Sequence, residues 1–221
     1  MQPITTVPEL AKLTINGANK YMVFVGTGQF LGRSDLPCPP SGSCPWTPNT
    51  QSTQIQTMNG LVDARTNTTL PDPLLTTLVE QTFTTSGNTR VMSTNTVNYS
   101  TKNGWYVNFT GGERLATDAA LASGTLVFTS SIPSTTPCIP GGSSWLYAID
   151  AENGGKVADS TYGGTFLGNA LASRPVLIQL PDGKMKALIR LSDTTTIIKD
   201  VPTPNNPAVA KRVSWRELID N

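Results

Sequence analysis

Short apolar segments separated by glycine-containing turn signals constrain what this chain can fold into. Asn16-Gly17 and Asp182-Gly183 each stand between two such segments, which is the pattern of a β-hairpin. Threonine, which suits a pleated surface, is abundant, and the 221 residues include 19 glycines and 17 prolines, which favour turns over helices. The sequence therefore predicts an all-β fold.

The predicted strands follow one another along most of the chain. They cover residues 10–32 (two strands), 53–64, 82–98 (one or two strands), 104–109, 115–121, 125–130, 145–150, 175–180, 185–191 and 195–198. One short helix is predicted to begin near residue 72, with Asp72 as its N-cap and Pro73 at its first position.

A longer repeat is superimposed on these strands. An apolar strand leading into Gly, Ser or Thr occurs at 23–28, 126–131 and 187–192, and the first two are followed by strands ending in Asp-Ala at 60–64 and 147–151. Four-stranded units repeated in this way are typical of a β-propeller. We predict propeller-type blades of antiparallel four-stranded sheets, about two to three of them, where a closed ring takes roughly 4–8 blades. The predicted division is an incomplete propeller at 1–205 and a closing segment at 206–221.

Three cysteines bear on the cellular compartment. Cys38 and Cys44 flank a turn-forming Pro-Pro-Ser-Gly-Ser spacer, and we predict a disulfide between them inside a Pro-rich loop at 33–53. Two free thiols in a cytosolic loop are the alternative, whereas zinc would need more ligands and the chain has no histidine. Cys138 is left over, which suggests a missing partner. Trp46 lies in the same loop and is a candidate contact residue.

Charge and hydropathy argue against several classes of partner. Only 14% of residues are charged and the net charge is +1, without a basic stripe for nucleic acid. No apolar run approaches the roughly 18 residues of a membrane span. The N-terminus lacks the basic and apolar regions of a signal peptide, so we expect the chain to begin inside a longer protein.

Catalytic patterns are weak, and we predict that the chain is not an enzyme and binds no cofactor or metal. It has no histidine, and it has no Ser-x-x-Lys or Gly-x-Ser-x-Gly motif. Glycines at 26–32 follow a strand but precede prolines rather than the helix a dinucleotide would need. Residues 150–155 depart from a calcium loop. A carboxylate-pair hydrolase stays open, as does a sugar-binding role for the aromatics Trp105, Tyr106, Trp145, Tyr147 and Trp215, for which packing is the default.

Several motifs together resemble one family. They are Glu-Arg-Leu-Ala-Thr-Asp at 113–118, Phe-Thr-Ser-Ser-Ile-Pro-Ser at 128–134, and above all Pro-Cys-Ile-Pro-Gly-Gly-Ser-Ser-Trp-Leu-Tyr at 137–147, with weaker likeness at 21–28 and 212–218. This set resembles the C-terminal propeller of the PilY/PilC family, the type IV pilus tip-associated adhesin and biogenesis proteins.

The resemblance implies an exported protein that passes through the periplasm to the pilus tip at the bacterial cell surface. There it would bind minor pilins, support pilus biogenesis, adhere to host or abiotic surfaces and contribute to virulence, with the remainder of its own propeller as a further partner. Some members bind calcium through an Asp-rich loop, which this sequence lacks. The alternatives are a docking subunit that binds minor pilins without direct adhesion, and a propeller enzyme.

Overall fold

The computed structural model describes residues 2–39, 43–49, 52–63, 74–135, 141–204 and 211–212. In this part of the chain the only helices are two short 3-10 turns, Arg33–Asp35 and Leu74–Thr77. The prediction of an all-β fold is confirmed. The strands are β1 (Glu9–Ile15), β2 (Ala18–Gly26), β3 (Gln56–Asp63), β4 (Val79–Gln81), β5 (Phe83–Ser86), β6 (Thr89–Met92), β7 (Gly104–Phe109), β8 (Ala120–Ala122), β9 (Thr125–Pro133), β10 (Gly142–Asp150), β11 (Gly164–Gly168), β12 (Val176–Gln179), β13 (Met185–Arg190), β14 (Thr196–Val201) and β15 (Lys211–Arg212).

The strands form three sheets. The first sheet has the order β15-β1-β2-β3-β7-β4, the second β5-β6-β11-β10-β9-β8, and the third β12-β13-β14. Each of the first two contains a run of four antiparallel strands, β1-β2-β3-β7 and β8-β9-β10-β11. Strand β4 adds to β7 in parallel, and the β5–β6 hairpin adds to β11.

The sequence repeat maps onto equivalent strands of these sheets. The three strands leading into Gly, Ser or Thr are β2, β9 and β13, the second strands of β1-β2-β3-β7, β8-β9-β10-β11 and β12-β13-β14. The two strands that the Asp-Ala motifs end are β3 and β10, the third strands of the first two runs. The prediction of about two to three propeller-type blades is therefore confirmed: among the described residues, two sheets each contain four blade strands and the third has three.

The second sheet lies between the other two and is buried on both faces. Side chains alternate between the two faces of a strand. On one face of β10, Trp145, Tyr147 and Ile149 pack in a core with the first sheet. On the other face, Leu146 and Ala148 pack in a core with the third sheet. We call these core 1 and core 2. Face-to-face packing of successive sheets is how propeller blades stack.

Two predicted elements differ from the structure. Most of the predicted strand at 115–121 is an irregular crossing from β7 to β8, and only Ala120–Ala122 is a strand. The crossing contacts the second sheet only locally: the Thr117 hydroxyl lies 2.8 Å from that of Thr129, and Arg114, just before the predicted strand, forms an isolated bridge with Ser131. The helix predicted near 72 is the short turn Leu74–Thr77, and its predicted cap lies outside the described residues.

Some predicted features lie wholly or partly outside the described residues. Cys138 and Trp215 lie outside the described residues, and of the predicted closing segment only β15 is described, paired with β1. The division at residue 205 stays a prediction. Within the described ranges, no helix is long and apolar enough to cross a membrane.

Candidate functional site

The disulfide loop, residues 33–53, lies in the connection between β2 and β3. Cys38 and Cys44 are joined by a disulfide, with their Cα atoms 5.1 Å apart, which is within the usual range for a bridge. The prolines and glycine between the cysteines favour the turn that this separation requires. The bridge closes the outer part of the loop into a small ring with Cys38 exposed and Cys44 half-buried.

A buried carboxylate organises the inner part of the loop. Asp35, 2% exposed, accepts hydrogen bonds from the backbone N–H of Leu31 at 2.7 Å and of Gly32 at 3.1 Å. The side-chain amides of Gln29 and Asn49 also donate to it, so it ties both arms of the loop together. Burial raises the pKa of Asp35, but these hydrogen bonds lower it by more, so the pKa lies below its ordinary value.

Arg114 fastens the same loop to the body of the protein. Its Nη1 donates to the carbonyl oxygens of Gln29 at 2.9 Å and Asp35 at 2.7 Å, and its Nη2 donates to that of Ser52 at 3.3 Å. The residue is 3% exposed. The planar guanidinium therefore holds the segment just before the loop, the beginning of the loop and its end at once, a task for which the five fixed donors of arginine are suited.

A groove of about 450 Å³ runs between the disulfide loop and the β9–β10 hairpin. Pro37 lines it on the loop side, Pro133 and Ser143 line it on the hairpin side, and Gly112 and Asn169 are also at its surface. Glycines, prolines and small polar side chains make up most of the lining, together with Ile132 and the buried Arg114.

Trp46 is half-buried on the loop, and its indole Nε1 donates to the carbonyl oxygen of Leu36 at 3.0 Å. That hydrogen bond fixes the orientation of the ring and leaves part of it accessible. Its role as a contact residue stays a prediction. Leu31, two residues before the loop, is 80% exposed.

A second buried charged cluster holds the β5–β6 hairpin. Arg90 Nη1 lies 2.7 Å from both carboxylate oxygens of Glu113, and Tyr147 and Ser130 donate to the same carboxylate. The Arg90 guanidinium also lies 3.9 Å from the ring centre of Trp145. Burial and the neighbouring Glu113 raise the pKa of Tyr147 well above its ordinary value. Each buried charge is paired, as buried ions require, so we interpret the cluster as a structural ion pair that holds the β5–β6 hairpin in place.

The strand aromatics lie in the interior. Trp105, Trp145 and Tyr147 belong to core 1 and are at most 6% exposed. They therefore pack in the interior, as the default interpretation had it, and cannot form a sugar-binding surface. Tyr106 is half-buried on the opposite face of the first sheet.

The acidic segment after β10 is a turn between strands. Asp150 accepts a hydrogen bond from the backbone N–H of Glu152 at 2.7 Å, and burial raises the pKa of both carboxyl groups. Across the ranges that the structure covers, no group of three or more His, Cys, Asp or Glu side chains is placed to hold a metal ion. The absence of a metal or cofactor stays a prediction.

Sequence reasoning identified the cysteines and Trp46 but not Asp35 or Arg114. The only sequence signal for Arg114 is that a charged pair, Glu113-Arg114, interrupts an otherwise apolar and small-residue stretch in a chain with few charges. Charged residues in such a setting are candidates for buried, paired positions.

Comparison with known proteins identifies relatives for this chain. No protein-family model matches it. It is 27% identical over 163 residues to the type IV pilus biogenesis factor PilY1 homolog of Xylella fastidiosa, covering 70% of this chain and 10% of that protein. It is 27% identical over 186 residues to the type IV pilus biogenesis factor PilY1 of Pseudomonas aeruginosa, covering 73% of this chain and 15% of that protein.

A solved structure shares the fold. The C-terminal domain of Pseudomonas aeruginosa PilY1 superimposes with a TM-score of 0.61 and 18% identity, covering 90% of this chain and 45% of that one. The resemblance to the PilY/PilC family is confirmed by these matches. The chain spans between a tenth and a sixth of the length of the two relatives above.

Proposed function

We propose, from its similarity in sequence to PilY1 and in fold to the PilY1 C-terminal domain, that this chain is a non-enzymatic module of a type IV pilus biogenesis factor. It acts at the pilus tip outside the cell, after export through the periplasm. The pairing of the buried charges Arg90 and Glu113 supports a structural role for them rather than a catalytic one.

The observation that carries the proposal is the construction of the disulfide loop. Exposed loops usually lose order when they protrude, yet this one has a buried carboxylate, a buried arginine and a disulfide that hold its backbone. Rigidity reduces the entropy lost on binding, so a rigid loop makes a better contact surface. Trp46, Leu31 and the adjacent groove are the contact surface that we assign to it.

Two partners fit this surface, and they define two forms of the function. In the first, the loop contacts a host or abiotic surface and the module is adhesive. In the second, the loop and groove receive a minor pilin, and the module docks on the pilus without direct adhesion. The exposed Leu31 suits either partner, and glycines in the groove lining leave room for a polypeptide backbone to approach closely.

The experiment is a double substitution, Leu31→Ala with Trp46→Ala, in the full protein expressed in its own host. The control replaces two exposed apolar residues elsewhere, Val91→Ala with Val176→Ala. Pilus number, surface attachment and co-purification with minor pilins are measured for both variants.

If the loop is adhesive, attachment falls while pilus number and pilin co-purification are kept. If the loop docks pilins, pilus number and co-purification fall together. If both variants behave as wild type in all three measurements, the loop has neither role and the proposal for it is wrong.

A further inference from the structure

A polar pocket of about 420 Å³ lies where three connections between strands meet, β1–β2, β6–β7 and β10–β11. The chain enters β2 from the first of these connections and leaves it towards the disulfide loop, so the pocket and that loop lie at opposite ends of β2. The pocket is lined by Asn16, Thr94, Asn95, Thr96, Val97, Asn98, Tyr99, Glu152 and Asn153.

A buried glutamine joins two of the three connections. Gln81, 1% exposed, donates from Nε2 to the carbonyl oxygens of Asn95 at 2.6 Å and Asn153 at 2.9 Å. Its Oε1 accepts from the backbone N–H of Asn95 at 2.9 Å. The Tyr99 hydroxyl joins the same two connections by donating to the carbonyl oxygen of Glu152. Two walls of the pocket are therefore held in place before a ligand binds, which reduces the entropy lost on binding.

Two asparagines of the lining carry free hydrogen-bond donors. The Oδ1 of Asn98 accepts from the backbone N–H of Ser100 at 3.0 Å, and the Oδ1 of Asn153 accepts from that of Gly155 at 2.7 Å. These bonds fix which end of each amide is which. Each Nδ2 group is left as a donor, and neither has a hydrogen-bond partner among the described residues.

The Glu152 carboxylate supplies an acceptor in the same lining. It is half-buried, and it has no hydrogen-bond or ion-pair partner in the part of the chain that the structure describes. Among the residues that line the pocket, Glu152 alone is charged. Lys20 lies outside the lining, with its Nζ 6.0 Å from the centre of the Tyr99 ring. An anionic ligand would therefore meet a carboxylate that no basic residue of the lining offsets.

Free donors beside a free acceptor select one class of ligand. A bare cation would be repelled by the two amide donors, whereas a hydroxyl group both donates and accepts, so a ligand with several hydroxyls can satisfy the amides and the carboxylate together. The half-buried Tyr99 ring and Val97 add apolar surface for the C–H groups of a sugar ring. The volume of about 420 Å³ lies in the range of roughly 300–1,000 Å³ that small-molecule sites occupy.

We infer that this pocket binds a neutral carbohydrate. The Nδ2 groups of Asn98 and Asn153 donate to hydroxyl oxygens of the sugar, and the Glu152 carboxylate accepts from its hydroxyl groups. The chain thereby gains a glycan-binding site at the end of β2 opposite to the disulfide loop, and the inference does not depend on that loop. The aromatic residues buried in core 1 take no part in it.

The test titrates the isotope-labelled protein with glucose, galactose, mannose and N-acetylglucosamine and follows amide shifts by NMR. One sugar ring makes few contacts, so the concentrations extend to about 100 mM. Saturable shifts are expected with at least one sugar at the backbone amides of residues 94–99 and 152–153. The fully O-methylated form of that sugar keeps its ring and oxygen atoms but loses every O–H donor, and it should bind about ten-fold more weakly.

Two substitutions remove the donors and keep the local structure. Asn98→Asp and Asn153→Asp each retain the Oδ1 acceptor that the neighbouring N–H needs and replace the Nδ2 donor with an oxygen. Each should weaken sugar binding about ten-fold. Asn88→Asp makes the same change at an exposed asparagine of the β5–β6 turn, outside the lining, and is the matched control with unchanged binding expected. If a pocket variant fails to fold, the O-methylated sugar on the wild-type protein still decides the question.

Three results would overturn the inference. The first is that none of the four sugars shifts the amides of the pocket. The second is equal binding of the sugar and its O-methylated form. The third is a larger shift of the same amides with methylammonium chloride or sodium phosphate than with any sugar at equal concentration, which would assign the pocket to a cation or to an anion.

Discussion

Glu113 and Arg114 are adjacent in the chain, and their buried side chains hold two different surface segments. The carboxylate of Glu113 receives Arg90 at 2.7 Å and so holds the β5–β6 hairpin, whereas Arg114 donates to the Asp35 carbonyl at 2.7 Å and so holds the disulfide loop. Arg114 is in extended backbone, bridged to Ser131. Successive side chains of an extended segment point in opposite directions. Two adjacent residues can therefore hold the β5–β6 hairpin on one side and the disulfide loop on the other.

Replacing Arg114 with lysine should loosen the disulfide loop. Arginine reaches the carbonyls of Gln29, Asp35 and Ser52 from two separate nitrogens, whereas the donors of lysine lie on one nitrogen of a shorter side chain. At least one buried acceptor should therefore lose its partner. We expect a loss of about 3 kcal/mol in the free energy of unfolding, measured by urea denaturation, and faster hydrogen exchange at Leu31 and Asn49. The control is Arg33→Lys at an exposed position of the same loop, with less than about 0.5 kcal/mol expected. Unchanged exchange in Arg114→Lys would contradict the anchoring role.

Replacing Glu113 with glutamine should leave the Arg90 charge buried without a counter-ion. Arg90 is 7% exposed and Glu113 is 1% exposed, so water cannot replace the lost charge. A loss of about 3–5 kcal/mol is expected from urea denaturation. The exposed pair Lys184–Asp182 gives the comparison: Asp182→Asn should change stability by less than about 1 kcal/mol. Similar losses of stability from the two substitutions would show that the buried ion pair does not hold the hairpin in place.

Acid should weaken the loop through Asp35. Its pKa is lower in the folded protein than the ordinary 3.8, since hydrogen bonds to the carboxylate outweigh burial. A lowered folded pKa contributes stability that is complete above the unfolded pKa and is lost as the pH falls through the folded pKa. Wild type should therefore be more stable than Asp35→Asn above pH 3.8, and the difference should shrink as the pH falls from 3.8 through the lower pKa of the folded protein. Thermal unfolding across a pH series checks this, and a constant difference would refute it.

Gly154 should tolerate no side chain. A Cβ atom there would lie 2.3 Å from the ring of Trp105, whose indole Nε1 is fixed by the Ala151 carbonyl at 3.1 Å. Gly17 has nearly the same backbone, with φ of +74° against +76°, but nothing within 4 Å. Gly17→Ala should cost about 1 kcal/mol from backbone strain alone, and Gly154→Ala about 2–4 kcal/mol because overpacking adds to it. If urea denaturation showed equal losses of stability for the two variants, the Trp105 ring would have to shift at little cost.

The hairpins and the blade repeat could be predicted because their signals are local. Asn16-Gly17 joins β1 to β2, and Asp182-Gly183 joins β12 to β13, as two-residue turn signals between alternating strands indicate. The strands β4 and β11 were missed. The first has three residues, and the second begins and ends with glycine, so neither carries a clear alternating pattern.

Strands, turns and the closeness of Cys38 to Cys44 follow from residues a few positions apart, where turn chemistry and side-chain alternation act directly. The tertiary structure was needed to show that Arg114 donates hydrogen bonds to three carbonyls at sequence separations of 85, 79 and 62 positions. It was also needed to show that β4 pairs with β7 in parallel and that Asn98 and Asn153 line one pocket. A charged residue carries no local mark of its distant partner, because the partner is chosen by how whole sheets stack and not by the neighbouring sequence.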